Sequence, residues 1–299
     1  MDYKEFVNEI IKNVKERLGE YYDVSYNELT KNNSCLYTGI IISSKKKYGN
    51  NFTSPAIYLE EYYKMYNSGM ALNVITDRII AVYRECCRYG MKISKNDITK
   101  DKLPDRIFYR LVNYELNQDM LKYSPYIPFM DLAVTFHYLC SGNDKNIQSF
   151  RITDRLMNEW KLDIDDMYTM ADNNMKRLFP EKIIDLKTIM LRFLGLSDYM
   201  NISGPEMYAL TNKYCLNGAA TMLYTTSIQE MAEINNTDVF ILPSSIHEII
   251  IIPAEREVNG DNLRKMVIDI NREHVAKEEW LSNNVYRYSH ETGQIEIFE

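Results

Sequence analysis

The chain has no stretch of about 18 uninterrupted apolar residues, the length that a membrane-spanning helix requires. Its first residues, MDYKEFVNEIIKNVKERLGE, are charged throughout. They lack the basic start and apolar core of a signal peptide, so no export is expected. Phosphate-cradling glycine motifs are absent: there is neither G-x-x-x-x-G-K-[ST] nor G-x-G-x-x-G. No G-x-S-x-G elbow is present to expose a serine nucleophile. No C-x-x-C or His-x-His pair announces a metal. Positive charge is also short. The formal net charge of −7 argues against non-specific nucleic-acid binding, which neutralises phosphates with Lys and Arg. It argues equally against a surface held on anionic lipid.

Cysteine is sparse and odd in number, at positions 35, 86, 87, 140 and 215. Adjacent Cys86 and Cys87 on a helix are poorly placed for a structural bridge. Five reduced thiols in a cytoplasmic protein are therefore expected. Tryptophan is scarce at two against 24 tyrosines, and Ile, Asn and Lys are abundant. An AT-rich genome produces such a mix, so it points to no function.

What the chain does contain is enough apolar residue for a core, 45% against 26% charged. Tyr3, Phe6, Val7, Ile10, Val14 and Leu18 recur at helical spacing, with Asp2 and Glu5 as a capping box and Gly19 as the stop. YYDVSYNEL, CLYTGIIIS and FTSPAIYL read as strands, and LEEYYKMYNS and 72–89 as helices. The lysine run of SSKKKYGNN (43–51) reads as a solvated loop. The polar segment 91–105 reads as a linker. Beyond it, RIFYRLVNYEL reads as a strand, LAVTFHYLC and IQSFRIT as a hairpin, and the segment from Asp163 as an amphipathic helix. Residues 181–205 read as an irregular helical connection. DVFILP and HEIIIIPA read as an antiparallel pair, followed by a helix with Leu263, Met266, Val267 and Ile270 inward, extended by His274. NVYRYS and QIEIF close the chain as a hairpin. This order predicts an α+β protein with largely antiparallel sheets and flanking amphipathic helices. Two subdomains are expected, 1–95 and 104–299, the second built on a central hairpin, 238–253.

The one stretch with the look of a site is LPSSIHEIIII, 242–252. Ile249–Ile252 cannot alternate between core and solvent, so their strand should be covered on both faces. The polar residues before it admit two readings. In one, Ser244 or Ser245 is a nucleophile, His247 its base and Glu248 the orienting group. In the other, Pro243, Ser244 and Ser245 are turn residues and the histidine is a hydrogen-bonded side chain at a hairpin tip. His247 and Glu248 are neighbours, which on a strand point to opposite faces. Ile251, not a second histidine, stands four residues after His247, so this is no zinc-protease motif.

Elsewhere, His137 and Cys140 sit three apart on a strand, a spacing that suits packing rather than shared ligation. LDIDDMY lacks the glycine and spacing of a calcium loop and suits a helix start. Asp105 and Glu115 stand near two-metal spacing, but the lysine expected two residues after the glutamate is Asn117. No cofactor and no metal are expected.

TSPAIYLEEYY, YRLVNYELNQDML, PFMDLAVTFHY, LMNEWKLDIDDMY, MYALTN, NGAATMLY, ILPSSIHEIIIIPA and NNVYRYSHETGQIEIF follow one another in that order. Together they resemble a domain-of-unknown-function family of uncharacterised gut Firmicutes proteins, over nearly the whole chain. The order of elements is also similar to the uncharacterised YtpQ-like proteins of low-GC Gram-positive bacteria. The resemblance implies a bacterial, cytoplasmic α+β protein and transfers no activity, cofactor or catalytic residue. The expected function is therefore a non-catalytic binding or accessory module with a protein or small-molecule partner. A hydrolase using Ser244 or Ser245 with His247 is the alternative.

Overall fold

The helical periodicity of the first twenty residues is realised as α1 (Tyr3–Leu18). The Asp2 carboxylate accepts from the Glu5 N–H while that of Glu5 accepts from the Asp2 N–H. This reciprocal cap satisfies two backbone donors at once. A computed structural model describes residues 1–45, 56–89, 100–143, 146–193, 206–254 and 260–298. The chain divides into two compact units, Met1–Lys31 with Cys35–Thr99, and Asn32–Ser34 with Lys100–Glu299.

In the first unit, β1 (Tyr22–Thr30), β2 (Leu36–Ser44) and β3 (Ala56–Tyr58) pair antiparallel in that order. With them go α2 (Glu60–Asn67) and α3 (Leu72–Tyr89). Phe6, Ile10 and Val14 of α1 pack with Ile40 and Ile42 of β2 and with Ile75 and Ile79 of α3. Lys45 pairs with Asp23 at 3.2 Å. Lys46 and Lys47 lie outside the described residues, as does 91–99 of the expected linker.

The second unit runs through α4 (Leu103–Arg106), β4 (Ile107–Asn113), α5 (Gln118–Leu121), β5 (Tyr126–Phe129), β6 (Leu132–Asn143) and β7 (Asn146–Arg151). There follow α6 (Asp154–Trp160), α7 (Ile164–Leu178), β8 (Glu181–Asp185), α8 (Leu186–Phe193) and β9 (Tyr208–Asn212). It ends with α9 (Ser227–Asn235), β10 (Val239–Leu242), β11 (Ile249–Pro253), α10 (Gly260–His274), β12 (Tyr286–Tyr288) and β13 (Ile295–Ile297). One sheet is built around β6, which pairs with β4, β5 and β7. The other has six antiparallel strands in the order β13-β12-β10-β11-β9-β8. The protein is thus α+β, with antiparallel sheets.

The isoleucine run sits inside the larger sheet, between β10 and β9. On one face, Ile252 packs with Phe240 and Leu242 against Leu263 and Val267 of α10. On the other, α9 packs against β10 and β11, and Ile249 and Ile251 are fully buried. Covering both faces explains why the run needs no alternation.

Three sequence expectations give way. Residues 181–185 form the edge strand β8, not a helical connection. As an edge strand it is largely exposed and offers no apolar alternation. Residues 100–105 of the expected linker, with Arg106 of the expected strand, are helical, Lys100–Lys102 as a 3₁₀ turn and then α4, with Pro104 in the first turn, where its missing N–H costs nothing. His274 is exposed at the end of α10 rather than inward, because the helix ends there.

Two polar clusters fix the loops of the second unit. Asp131, in the turn between β5 and β6, accepts from Ser282 Oγ at 2.6 Å, Asn284 Nδ2 at 3.1 Å and the Tyr286 hydroxyl. Burial first, and then that carboxylate, raises the pKa of Tyr286. Asn33 Nδ2 donates to the carbonyls of Lys277 and Trp280 at 2.8 and 2.7 Å. Its backbone N–H donates to Asn117 Oδ1 at 2.8 Å. Replacing Ile251 with alanine should cost about 2–5 kcal/mol through the cavity it leaves, read from urea unfolding. Ile250 is only half-buried, so Ile250→Ala should cost less. Equal costs would show that the strand is not buried as described.

Candidate functional site

Residues 243–248 connect β10 to β11, and they are not an exposed tip. Ser244 and Ser245 are 7% and 4% exposed. The Ser244 carbonyl accepts from Leu281 N–H at 3.2 Å, and the Pro243 carbonyl accepts from Ser282 N–H at 2.9 Å. Ile246 N–H donates to the Glu279 carbonyl at 2.9 Å. From the other side, Gly218 and Ala219 N–H donate to the carbonyls of His247 and Ile246 at 3.0 and 3.1 Å. A buried backbone must be paired in this way, and here 217–219 and 279–282 do the pairing. Gly218 is required by the closeness of that approach. A Cβ there would meet Thr211 Oγ1 at 2.1 Å and the His247 carbonyl at 2.5 Å.

The imidazole of His247 is committed on both sides. Nδ1 accepts from Asn217 N–H at 3.2 Å. Nε2 lies 3.3 Å from Glu279 Oε1. An accepting Nδ1 places the ring proton of the neutral tautomer on Nε2, facing that carboxylate. The orienting acid is therefore Glu279, on the 3₁₀ turn Lys277–Glu279, rather than Glu248. Ser245 Oγ accepts from the backbone N–H of His247 at 3.0 Å. This is a local serine turn, made to the backbone of His247 and not to its ring. Since 247–248 are outside the strand, their side chains escape strand alternation. His247, Glu248, Glu279, His274, Cys215 and Ser245 all border one shallow pocket of about 300 Å³. Among the described residues no three His, Cys, Asp or Glu side chains gather as metal ligands do.

A larger cleft lies elsewhere in the same unit, with a volume of about 700 Å³. Ile127, Phe129 and Val134 of the β6 sheet form one wall. Met222 and Leu223 of the 3₁₀ turn Gly218–Leu223 and Ile228 of α9 form another, and Tyr288, Gln294 and Ile295 close it. Its polar groups are uncharged: Tyr168, Thr225, Gln229 and Gln294 as well as Tyr288. None of these residues stood out in the sequence, because each wall comes from a different stretch of chain. The one local signal was the Asn217-Gly218 pair, a turn dipeptide.

The remaining sequence candidates separate. Asp163 and Asp166 form the capping box of α7. Asp105 and Glu115 lie beyond opposite ends of β4, a strand of seven residues that spans about 20 Å, too far for one metal pair. Cys140 lies at a break in the β6–β7 register, its thiol against the Tyr138 carbonyl. None of the five cysteines is in a disulfide. His137 is buried, its Nε2 3.1 Å from Thr135 Oγ1. Burial first, and then the positive charges of Arg110 and Arg151, hold its pKa well below the ordinary 6.5.

A histidine kept neutral in the folded state and protonated when unfolded contributes stability above its unfolded pKa. That stability is lost as the pH falls through about 6.5. Relative to His137→Leu, the wild type should lose stability below that pH, with a slope approaching about 1.4 kcal/mol per unit. Parallel stability curves for the two proteins in urea unfolding would contradict a neutral His137.

No curated protein and no solved structure matches the chain. A family model does match, over residues 3–290, nearly the whole sequence from α1 to the last hairpin. The chain belongs to that family, DUF5688, a family of unknown function.

Proposed function

We propose that this protein is a binding module without turnover, and that its ligand is a small, uncharged, amphipathic molecule held in the 700 Å³ cleft. The observation that carries this reading is the lining of the cleft. It has the size and mixed character of small-molecule sites, and no charged residue borders it. A charged ligand would lose its hydration there without gaining a partner. The Tyr168 hydroxyl and the Gln294 amide are polar groups that can orient a neutral one.

The hydrolase alternative is disfavoured by the commitments of His247, whose two nitrogens serve Asn217 and Glu279. Setting aside 1–95 as a subdomain distinct from 104–299 belongs to the same reading, and the two compact units support it. So does a cytoplasmic setting in a gut-dwelling Gram-positive bacterium with YtpQ-like relatives; five cysteines without a disulfide support the cytoplasmic setting.

Nile red, an uncharged reporter, should bind saturably with one site per chain. Leu223 is a half-buried cleft residue. Leu223→Glu should weaken binding by about tenfold or more, since a carboxylate must then be desolvated. Glu279→Gln should leave it unchanged. Binding that Leu223→Glu does not weaken would overturn the cleft assignment. In a separate test, a fluorophosphonate probe should leave Ser244 and Ser245 unlabelled. Labelling that His247→Ala abolishes would establish the hydrolase instead.

A further inference from the structure

The sheet around β6 carries two arginines whose charge no carboxylate among the described residues cancels. Register places Arg110 opposite Thr135 and His137 opposite Arg151. Ser149 is two residues from Arg151 along β7, so Arg110, Thr135, His137, Ser149 and Arg151 share one face. Arg110 Nη2 reaches across to donate to Ser149 Oγ at 2.8 Å. Its Nε is buried and has no hydrogen-bond partner. Its guanidinium lies 5.2 Å from the centre of the Phe108 ring. Arg151 Nε donates to Ser124 Oγ at 2.9 Å.

These partners are hydroxyls and a ring, and they leave both positive charges in place. No ion pair among the described residues involves either guanidinium. Burial alone lowers the pKa of Arg110, to about 10, with no acid acting against it. Buried charge is ordinarily paired, because an unpaired charge loses its hydration for nothing. Here the neighbour between the two arginines is His137, which burial first and their charges second hold neutral.

We propose that Arg110 and Arg151 form an oxyanion site for a phosphate dianion, either inorganic phosphate or the phosphoryl group of a monoester. Two guanidinium charges balance the two negative charges of the ligand. The planar fork of Arg110, with Nε–H free, matches two phosphate oxygens side by side. Ser149 accepts from Arg110 and keeps its own hydroxyl hydrogen to donate to the anion, while the buried Ser124 holds Arg151 in place. Arg151 is exposed and Arg110 is only partly buried, so a ligand would approach from the Arg151 side. This site is separate from the uncharged cleft and does not depend on it.

The test uses the whole protein with inorganic phosphate and phenyl phosphate as probes, and sodium chloride at matched ionic strength as the control. Phosphate should raise the unfolding midpoint saturably, beyond chloride. The imidazole resonance of His137, followed by NMR, should titrate at higher pH when phosphate is bound, because the flanking charge is then neutralised. Phenyl phosphate acting as well as inorganic phosphate would identify a monoester site, and inorganic phosphate acting alone a free-anion site. In Arg110→Met both effects should vanish. That variant should also be more stable than the wild type in phosphate-free buffer, since an uncompensated charge has left the interior. Should it not fold, Ser149→Ala and Arg151→Gln, at more exposed positions, should each weaken phosphate binding by about tenfold. No phosphate effect beyond chloride, or full phosphate binding in these variants, would overturn the proposal.

Discussion

The second unit depends on how the buried backbone of 243–247 is satisfied. This segment leaves β10 and has no neighbouring strand of its own, yet it is enclosed. It borrows partners from two places far apart in the chain, 217–219 on one side and 279–282 on the other. Each side needs a feature of its own. Gly218 must lack a side chain for its amide to reach the His247 carbonyl. The turn at Lys277–Trp280 is held by Asn33, whose amide reads two of its carbonyls. His247 is thereby fixed between Asn217 and Glu279, and the polar character of SSIHE becomes architecture. An unpaired backbone group in such a place would cost about 1–3 kcal/mol, so every one of these bonds constrains what the loop can do.

The parts legible in the sequence are those whose signal is local. Capping boxes at Asp2 and Asp163 and the stripe of α1 are set by neighbours three or four residues away. The double burial of Ile249–Ile252 shows in the run itself. β8 was not legible, because an edge strand with exposed side chains carries no periodicity. His274 was misplaced because a helical stripe was extended to the residue at which the helix ends. Glu279 could not be paired with His247 from sequence, since they meet only through the 3₁₀ turn that Asn33 holds. The cleft was invisible for the same reason: four stretches of chain line it, and none is distinctive alone.

The charges of the protein sharpen the reading of Arg110 and Arg151. Acidic residues outnumber basic ones, 42 to 35, so a shortage of carboxylates does not explain why two arginines lack one. Some arginines do find one: Arg17 pairs with Asp77, Arg272 with Asp269, and the half-buried Arg287 with Glu296 and Asp238. Such surface pairs contribute little individually. The half-buried Arg110, where a counter-charge would matter most, instead meets Ser149, Phe108 and an uncharged histidine. A strand position that served only packing would be better filled by an apolar residue of similar volume, which needs no compensation. The arginine is then explained by what it can bind, and the hydroxyls around it by their ability to share a ligand rather than cancel a charge.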